Sequence, residues 1–267
     1  MRYIFDHDYH IHSWISSCSR DPEQTPERML RYAQENGLKK ICLTDHYWDS
    51  TVPGASDWYA VQNDEWIRRA LPLPQAEGVE FLFGCETDLD KFMTVGVAPA
   101  TFDNFDFVII PTTHLHMRGF TITEEDASSL ETRAKRWISR LEGLLNMDLP
   151  FRKIGIAHLT CSWIVPGDRD GYLKMLNMLP EDDLVRLFTK AAEVGVGIEL
   201  NSYDMKFADS EADTVLRIYR IAKQCGCKFY CGSDAHHPEG LDEAKAAFER
   251  AIDLLDLQEE DKFHIEC

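Results

Sequence analysis

The segment at residues 40–46 reads KICLTDH, and it contains the pattern that decides the fold. A short, unbroken apolar run is followed at once by residues that can bind a metal ion or move a proton. An unbroken run, unlike an alternating one, is typical of a strand that is buried on both faces, as in a parallel sheet. The position of Asp45 and His46 predicts that polar chemistry is gathered where such a strand ends.

The same pattern recurs along the chain, with longer helix-like segments between the apolar runs. The predicted strands are Arg2–Asp8, Lys40–Thr44, Glu80–Glu86, Asp106–Pro111, Lys153–His158, Gly197–Asn201 and Lys228–Ser233. The predicted helices are Pro26–Asn36, Glu124–Leu145, Glu181–Val194, Asp209–Cys225 and Leu241–Leu255, with another around Asp57–Arg69. This alternation predicts a single α/β domain over residues 1–267, with parallel strands and a Trp-rich insertion at about 47–75. The pattern alone fits a closed barrel and an open, doubly wound sheet equally well. The polar segment Leu257–Cys267 is expected to be a tail or an added strand.

Composition narrows the classes of function. The chain has 28 Lys+Arg and 46 Asp+Glu, a formal net charge of −18, which argues against unspecific binding to nucleic acid or anionic membranes. No stretch approaches the ~18 consecutive apolar residues that a membrane span needs. The cysteines form no CxxC pair, and several lie in apolar runs, which predicts free thiols in a reducing cytoplasm. The negative net charge favours multivalent cations as partners, and the sequence leaves open whether the chain forms a homo-oligomer.

Most of the histidines fall at or just beyond the carboxyl end of a predicted strand. These are His10, His12, His46, His114, His158 and His236, and Glu86 and Asp234 share that position. In a parallel α/β barrel the loops at this end converge on one mouth, so these side chains would meet there. The HxH at residues 10–12 sends both imidazoles to the same side of an extended segment. Imidazoles with carboxylates suit zinc, manganese or iron.

Motifs in a fixed order carry a resemblance to a known family. They read DYHIHS (8–13), LTDH (43–46), GCE (84–86), TTH (112–114), IAH (156–158) and GSDAH (232–236). In this order they resemble the PHP (polymerase and histidinol phosphatase) superfamily of metal-dependent phosphoesterases, over residues 6 to about 237. The resemblance implies a distorted (β/α)7 barrel with parallel strands, and a trinuclear metal site.

The resemblance also implies how the ions are held. The first ion would be held by His10, His12, Glu86 and Asp234, the second by Glu86, His114 and His158, and the third by His46 and His236. The third ion needs another ligand from the loop after HxH, where this chain has no histidine and departs from the Cys-Pro-His of histidinol phosphatases. Asp21 is the candidate for that ligand, and Cys18 is the alternative. His116 is the alternative to His114, because residues 114–116 are also an HxH.

The expected function is hydrolysis of a small-molecule phosphate monoester, with two to three divalent ions (Zn, Mn or Fe) as cofactors. A metal-bound hydroxide at the ions bridged by Glu86 would attack phosphorus in line. Asp234 or His236 would protonate the leaving group. Arg20 and Arg118 lie in predicted mouth loops and would bind the substrate phosphate.

Other interpretations remain open from the sequence. They are a nuclease or cyclic phosphodiesterase of the same family, a histidinol-phosphatase-like enzyme, a hydrolase of C–N or ester bonds, and a barrel that keeps metals without catalysis. The low isoelectric point and the lack of a basic stripe disfavour the nuclease. Trp48, Trp58, Trp66 and Trp163 are candidates for the wall of a substrate pocket, or else for packing in the core or insertion. Asn201, at the end of a predicted strand, is a candidate for contact with the substrate or with a metal ligand.

Overall fold

A computed structural model describes residues 1–265 of the chain. The strands are β1 His7–Ile11, β2 Lys40–Leu43, β3 Glu80–Phe83, β4 Cys85–Glu86, β5 Val108–Ile109, β6 Ile154–Ile156, β7 Gly197–Asn201 and β8 Lys228–Gly232. The helices are α1 Pro26–Asn36, α2 Asp57–Ala60, α3 Asp64–Ile67, α4 Leu130–Leu145, α5 Arg169–Met178, α6 Glu181–Val194, α7 Ala212–Gln224 and α8 Pro238–Leu254. The chain thus alternates strands with helices, as an α/β fold does.

The named strands pair in parallel and form two sheets. One sheet has the order β1-β2-β3 and the other the order β4-β5-β6-β7-β8. The expected barrel is therefore not present as one closed sheet within residues 1–265. The division falls at Gly84, inside the single strand predicted over Glu80–Glu86. A Cβ atom on Gly84 would lie 2.4 Å from the carbonyl oxygen of Phe107, so the backbone makes a close approach at this point.

The edges of the two sheets nevertheless lie beside each other. The backbone N–H of Asp234, just after β8, donates to the carbonyl of His10 in β1 at 2.7 Å. On the other side, an isolated parallel bridge pairs His46, after β2, with Glu86 in β4. The carboxyl ends of both sheets are thereby brought to one place.

Helix boundaries follow local capping chemistry. The Thr25 hydroxyl accepts the backbone N–H of Arg28 at 3.2 Å, and α1 ends at Gly37 with φ 69°, as predicted. Helix α6 has the predicted bounds. Helix α4 begins at Leu130 and not at Glu124, because Ser129 caps its first turn.

Other elements differ from the sequence prediction. Helix α5 was not predicted, and the helix expected around Asp57–Arg69 consists of the short helices α2 and α3 followed by a 3₁₀ turn. The first strand begins at His7, later than the predicted strand Arg2–Asp8. The first half of the predicted strand instead lies beside a segment near the C-terminus, where the backbone N–H of Tyr3 donates to the carbonyl of Leu257 at 3.0 Å.

The segment Leu257–Cys267, predicted as a tail or an added strand, lies against β8 over its described part. Phe263 donates its backbone N–H to Phe229 at 2.8 Å, and Lys262 is bridged to the same residue. Residues 266 and 267 lie outside the described residues. Within residues 1–265 the structure contains no helix with the length and apolarity that crossing a bilayer requires.

Candidate metal centre

The structure brings most of the predicted ligands together at the carboxyl ends of the strands. Candidate ligand atoms lie within 4.8 Å of one another in groups, which are His10, His12, Glu86 and Asp234; Glu86, His114 and His158; His12, Cys18, His46 and His236; and His10, His158 and Glu199. We call the first three the central, second and third groups. Glu86 belongs to the central and second groups, and His12 to the central and third, so the three are contiguous.

The sequence leaves open two pairs of candidate ligands, Asp21 or Cys18 and His114 or His116, and the structure places the members of each pair differently. Cys18 lies in the third group, whereas Asp21 belongs to none of the groups found within residues 1–265. The Asp21 carboxylate turns back into its own loop and accepts the backbone N–H of Glu23 at 2.9 Å. Likewise His114 lies in the second group, and the ring of His116 lies instead against Trp163, with 5.0 Å between ring centroids.

Hydrogen bonds at Nδ1 fix the orientation of several rings. Nδ1 of His10 lies 2.6 Å from Glu199, Nδ1 of His114 lies 2.8 Å from Asp88, and Nδ1 of His236 lies 2.7 Å from a backbone carbonyl. Since these partners only accept, each Nδ1 carries the proton and each Nε2 keeps its lone pair. The three rings are therefore in the tautomer that binds a metal through Nε2.

His12 is oriented by the hydroxyl of Ser16, which is itself held by the buried carboxylate of Asp45. The Ser16 hydroxyl donates to Asp45 at 2.8 Å, so it accepts from Nδ1 of His12 at 3.1 Å. Ser13 also donates to Asp45, at 2.6 Å from its hydroxyl. The aspartate of the TDH motif thus positions a ligand of the HxH motif, and the two motifs act as one unit.

The electrostatics of the central group favour ionised carboxylates. Burial raises the pKa of Glu86, but the imidazoles of His46 and His10 outweigh it and hold that pKa well below its usual range. Burial also raises the pKa of Asp234, but the charge of His10 and a hydrogen bond with His12 outweigh it and hold that pKa well below its usual range. Burial lowers the pKa of His10, and the neighbouring carboxylates, led by Glu199, raise it well above its usual value.

Two further observations indicate that these candidate ligands suit divalent cations. Oε1 of Glu86 is buried and accepts no hydrogen bond, although Nε2 of His158 lies 3.4 Å away. A buried carboxylate oxygen without a donor is costly, and a cation coordinated by that oxygen removes the cost. His158 and Asp234 also have left-handed backbones, with φ of 44° and 54°. Such strain in residues other than glycine is concentrated at functional sites.

Two supporting carboxylates were missed by the sequence analysis. Glu199, in the middle of β7, accepts the backbone N–H of His158 at 2.9 Å as well as contacting His10. Asp88 contacts His114 and lies 3.3 Å from the guanidinium of the fully buried Arg140. For Glu199 the sequence does contain a signal, which is a charged residue inside the otherwise apolar strand GIELN. A buried charge in such a strand requires a partner.

A cavity of about 710 Å³ opens over these groups. Glu86, His158 and Asp234 line it. Of the predicted pocket residues, Trp58, Trp163 and Asn201 also line it, whereas Trp48 and Trp66 do not. The exposed Arg20 and Arg118 do not line the cavity, and Arg118 pairs with Glu124 at 2.8 Å.

The cations that do line the cavity are Arg169 and Lys206. Arg169 is the first residue of the unpredicted helix α5. Nε of Arg169 donates to Glu211 at 2.9 Å, and its guanidinium lies 4.7 Å from the ring centroid of Tyr172. This side chain is therefore held in place beside the cavity before any ligand arrives.

A buried carboxylic acid also lines the cavity. Oδ2 of Asp204 accepts the backbone N–H of Thr160 at 3.0 Å and lies 3.4 Å from the hydroxyl of Tyr219. Burial raises the pKa of Asp204 to about 7. The cavity wall thus includes both ionised carboxylates and a carboxyl group that titrates near neutrality.

Comparison with known proteins agrees with these observations. Residues 8–267 match the PHP domain. A probable phosphatase of Vibrio parahaemolyticus is 26% identical over 236 residues, covering 87% of this chain and 78% of that protein. A probable phosphatase of Thermoanaerobacter sp. is 28% identical over 232 residues, covering 86% and 78%.

A solved structure is similar over nearly the whole fold. It is the histidinol phosphate phosphatase of Lactococcus lactis, complexed with zinc, L-histidinol and phosphate. The TM-score is 0.55 at 16% identity, covering 92% of this chain and 94% of that one. With a family match over nearly its whole length, and with the candidate ligands of its motifs gathered in contiguous groups, this chain belongs to the PHP family.

Proposed function

We propose that this chain is a metal-dependent phosphatase that hydrolyses a small-molecule phosphate monoester at a centre of three divalent ions. The observation that carries the proposal is the run of three contiguous ligand groups, linked by Glu86 and His12, along the wall of one cavity. The relatives named probable phosphatases and the fold shared with a zinc-bound histidinol phosphate phosphatase support the same reaction class.

The proposed roles follow the groups. The central group would hold one ion, the second group another with Glu86 shared, and His46 and His236, with a ligand from the loop after HxH, a third. When bound, zinc, manganese or iron would acidify a water molecule and neutralise charge on the phosphate. The protein's contribution is to fix the ligand rings through Glu199, Asp88 and Ser16, and to keep Glu86 and Asp234 ionised.

Substrate contacts would come from side chains that face the cavity. Arg169 has a planar guanidinium that suits a phosphate or carboxylate oxygen, and Lys206 supplies a second positive charge. Asp234 and His236 lie side by side, 3.6 Å apart between Oδ1 and Nδ1. Because Asp234 is held ionised and His236 binds through Nε2, we propose these two as the candidates that position the water molecule from which the departing oxygen takes its proton.

A small substrate is favoured over a nucleic-acid chain by charge and shape. The net charge of −18 opposes a polyanion at long range. Arg169 and Lys206 are each already paired with a carboxylate, Glu211 and Glu243, so they form no continuous basic track. The cavity volume instead suits a small molecule.

The overall architecture is part of the proposal. We infer that residues 1–267 form one domain, with an insertion at about 47–75, and that the two sheets are the two parts of a distorted barrel wall. The hydrogen bonds between β1 and the end of β8, and the bridge between His46 and Glu86, support this arrangement.

The test is phosphate release by metal-depleted protein that is re-supplied with manganese, zinc or iron. The panel includes AMP, histidinol phosphate, sugar phosphates, a phosphodiester and a single-stranded oligonucleotide. We expect metal-dependent release from a monoester, and no release by the Glu86→Gln variant. Hydrolysis of the diester or oligonucleotide alone would overturn the monoester proposal, and no hydrolysis with metal bound would overturn the phosphatase.

A further inference from the structure

We propose that Cys18 supplies a thiolate ligand to the ion of the third group, which would make this a sulfur–nitrogen site beside two imidazole–carboxylate sites. The inference rests on the proposed function only in assuming that the centre binds metal. It concerns a residue in the loop where this chain departs from the Cys-Pro-His of histidinol phosphatases, and it predicts that the ions of one centre differ in metal preference.

The position of Cys18 carries the first step. Its sulfur lies within 4.8 Å of candidate nitrogen ligands of His12, His46 and His236, and it lines the cavity with His46 and His236. The residues on either side of Cys18 are anchored. Ser17 donates its backbone N–H to Gln62 at 2.9 Å, and the hydroxyl of Ser19 donates to the carbonyl of His236 at 2.8 Å. The loop therefore holds the thiol beside the imidazoles.

The hydrogen bonds of the rings carry the second step. The Nδ1 atoms of His12 and His236 are engaged by Ser16 and by the carbonyl of Asp234, so their Nε2 lone pairs are available to an ion. The rings of His12 and His236 stack with centroids 4.3 Å apart, and His46 lies 4.5 Å from His12 on centroids. Because the Nε2 lone pair of His12 serves the ion of the central group, the third ion would be held by His46, His236 and the sulfur of Cys18. Three protein ligands of this kind match a tetrahedral zinc site with one open position.

The third argument for Cys18 is the number of anionic ligands that each group offers. The central and second groups each include a carboxylate, whereas the third group contains none. The neutral imidazoles of His46 and His236 leave a divalent ion with its full charge, and a thiolate is the one anionic ligand that this group offers. Asp21, the other candidate, points into its own loop.

Ligand softness then sets the expected preference. Thiolate favours zinc, cobalt and cadmium over manganese, whereas imidazole with carboxylate accepts manganese, iron or zinc. Manganese should therefore fill the central and second groups and leave the third for a softer ion. The centre would reach full occupancy only with a mixture of metals or with zinc throughout.

Cobalt spectroscopy of the full chain tests the assignment. Metal-depleted protein is titrated with Co²⁺, and a thiolate–cobalt charge-transfer band should appear in the near ultraviolet. The Cys18→Ser variant should lose this band and bind one fewer cobalt ion. Cys225→Ser is the matched control, because Cys225 is also a partly buried thiol, and Cys161→Ser controls for the other cysteine of the cavity wall. Both controls should keep the band.

Alkylation followed by peptide mass spectrometry gives an independent readout. Zinc should protect Cys18 from iodoacetamide, and manganese should not. A cobalt-loaded protein that hydrolyses phosphate esters without the band, or a band that persists in Cys18→Ser, would overturn the thiolate assignment and leave the phosphatase proposal standing. A band that depends on Cys18 in a protein without phosphatase activity would support the assignment and overturn only the proposed function.

Discussion

Oε1 of Glu199 lies 2.6 Å from Nδ1 of His10, and both side chains are completely buried. The other carboxylate oxygen of Glu199 accepts the backbone N–H of His158 at 2.9 Å and a side-chain N–H of Asn201 at 3.1 Å. One carboxylate in the middle of β7 therefore orients the imidazole of one candidate ligand and the backbone of another. Such outer contacts set both ring orientation and ligand basicity.

The Glu199→Gln variant should bind metal more weakly while keeping its fold. The amide retains the shape of the side chain but removes the negative charge that raises the basicity of His10. We expect metal affinity and kcat/KM to fall by roughly 10–100-fold. Metal affinity is measured by competition with a chromophoric chelator. Glu193→Gln, an exposed glutamate of α6, is the control, and equal affinities in the two variants would contradict the role of Glu199.

His114→Ala and His116→Ala form a matched pair within one HxH. His114 lies in the second group, so its loss should remove one bound ion and lower turnover at least about 100-fold. His116 lies outside the groups, and burial lowers its pKa to about 3. His116→Ala should keep its metal content and most of its activity. Metal analysis alongside kinetics checks the assignment, and the reverse pattern would place the ligand at His116.

Arg169→Ala should raise KM for a phosphate monoester. A charge-assisted hydrogen bond to substrate is worth about 1.5–3 kcal/mol, so an increase of roughly tenfold or more is expected. Arg118→Ala is the control, because Arg118 is exposed and pairs with Glu124. Steady-state kinetics on the best substrate of the panel provide the comparison. A larger effect at Arg118 would restore the substrate contact that the sequence predicted.

Removal of metal should lower thermal stability reversibly. The central and second groups place buried carboxylates and imidazoles together, and a cation that binds the folded state alone stabilises it by mass action. At a free metal concentration of 100 times Kd the gain is about 2.7 kcal/mol, or roughly 5 °C or more in Tm. Differential scanning calorimetry before and after re-addition of zinc measures it. An unchanged Tm with metal bound would contradict a folded-state centre.

Asp6 provides a pH-dependent prediction at the opposite end of the strands. Burial raises its pKa, but hydrogen bonds from His7 and Lys262 outweigh it and lower that pKa to about 2. Because the folded-state pKa is lowered, the ionised carboxylate stabilises the fold above about pH 4, and this stabilisation is lost as the pH falls towards 2.

The Asp6→Asn variant should therefore be less stable at pH 7 by about 1 kcal/mol, a figure reduced for partial exposure to solvent. The difference from the unmodified protein should shrink between pH 4 and 2. Urea unfolding at pH 7, 4 and 2.5 measures it. Asp103→Asn is the control, since that carboxylate is 98% exposed beside Lys153. A difference that grows on acidification would contradict the sign.

The positions of the candidate ligands could be predicted because their motifs are local. In HxH and SDAH the spacing alone brings two ligands to one side, and the apolar runs before them place the motifs at strand ends. Glu199 could not be found in this way, because its contact with His10 joins residues 189 positions apart. Arg169 was missed for another reason: α5 contains Gly171 and begins after a single capping residue, Asp168, so its sequence gave a weak helix signal.

The arrangement of the sheets was less predictable than the order of the strands. The unbroken run over Glu80–Glu86 suits one strand, whereas the structure divides it at Gly84, where the backbone lies close to Phe107. The choice between Asp21 and Cys18 likewise depended on how the loop folds back. Spacing along the chain does not contain that information.

The sharing of ligands between groups has a consequence for how the centre is loaded. Glu86 and His12 belong to the central group and also to its neighbours. An ion in the central group therefore orders a carboxylate that the second ion shares, and a ring that packs against His46 and His236 of the third group. By thermodynamic linkage the affinities are then coupled in both directions. Positive cooperativity would make the ions load together, so that protein exposed to limiting metal would be a mixture of fully loaded and empty molecules. The response of activity to metal concentration would then be sigmoidal.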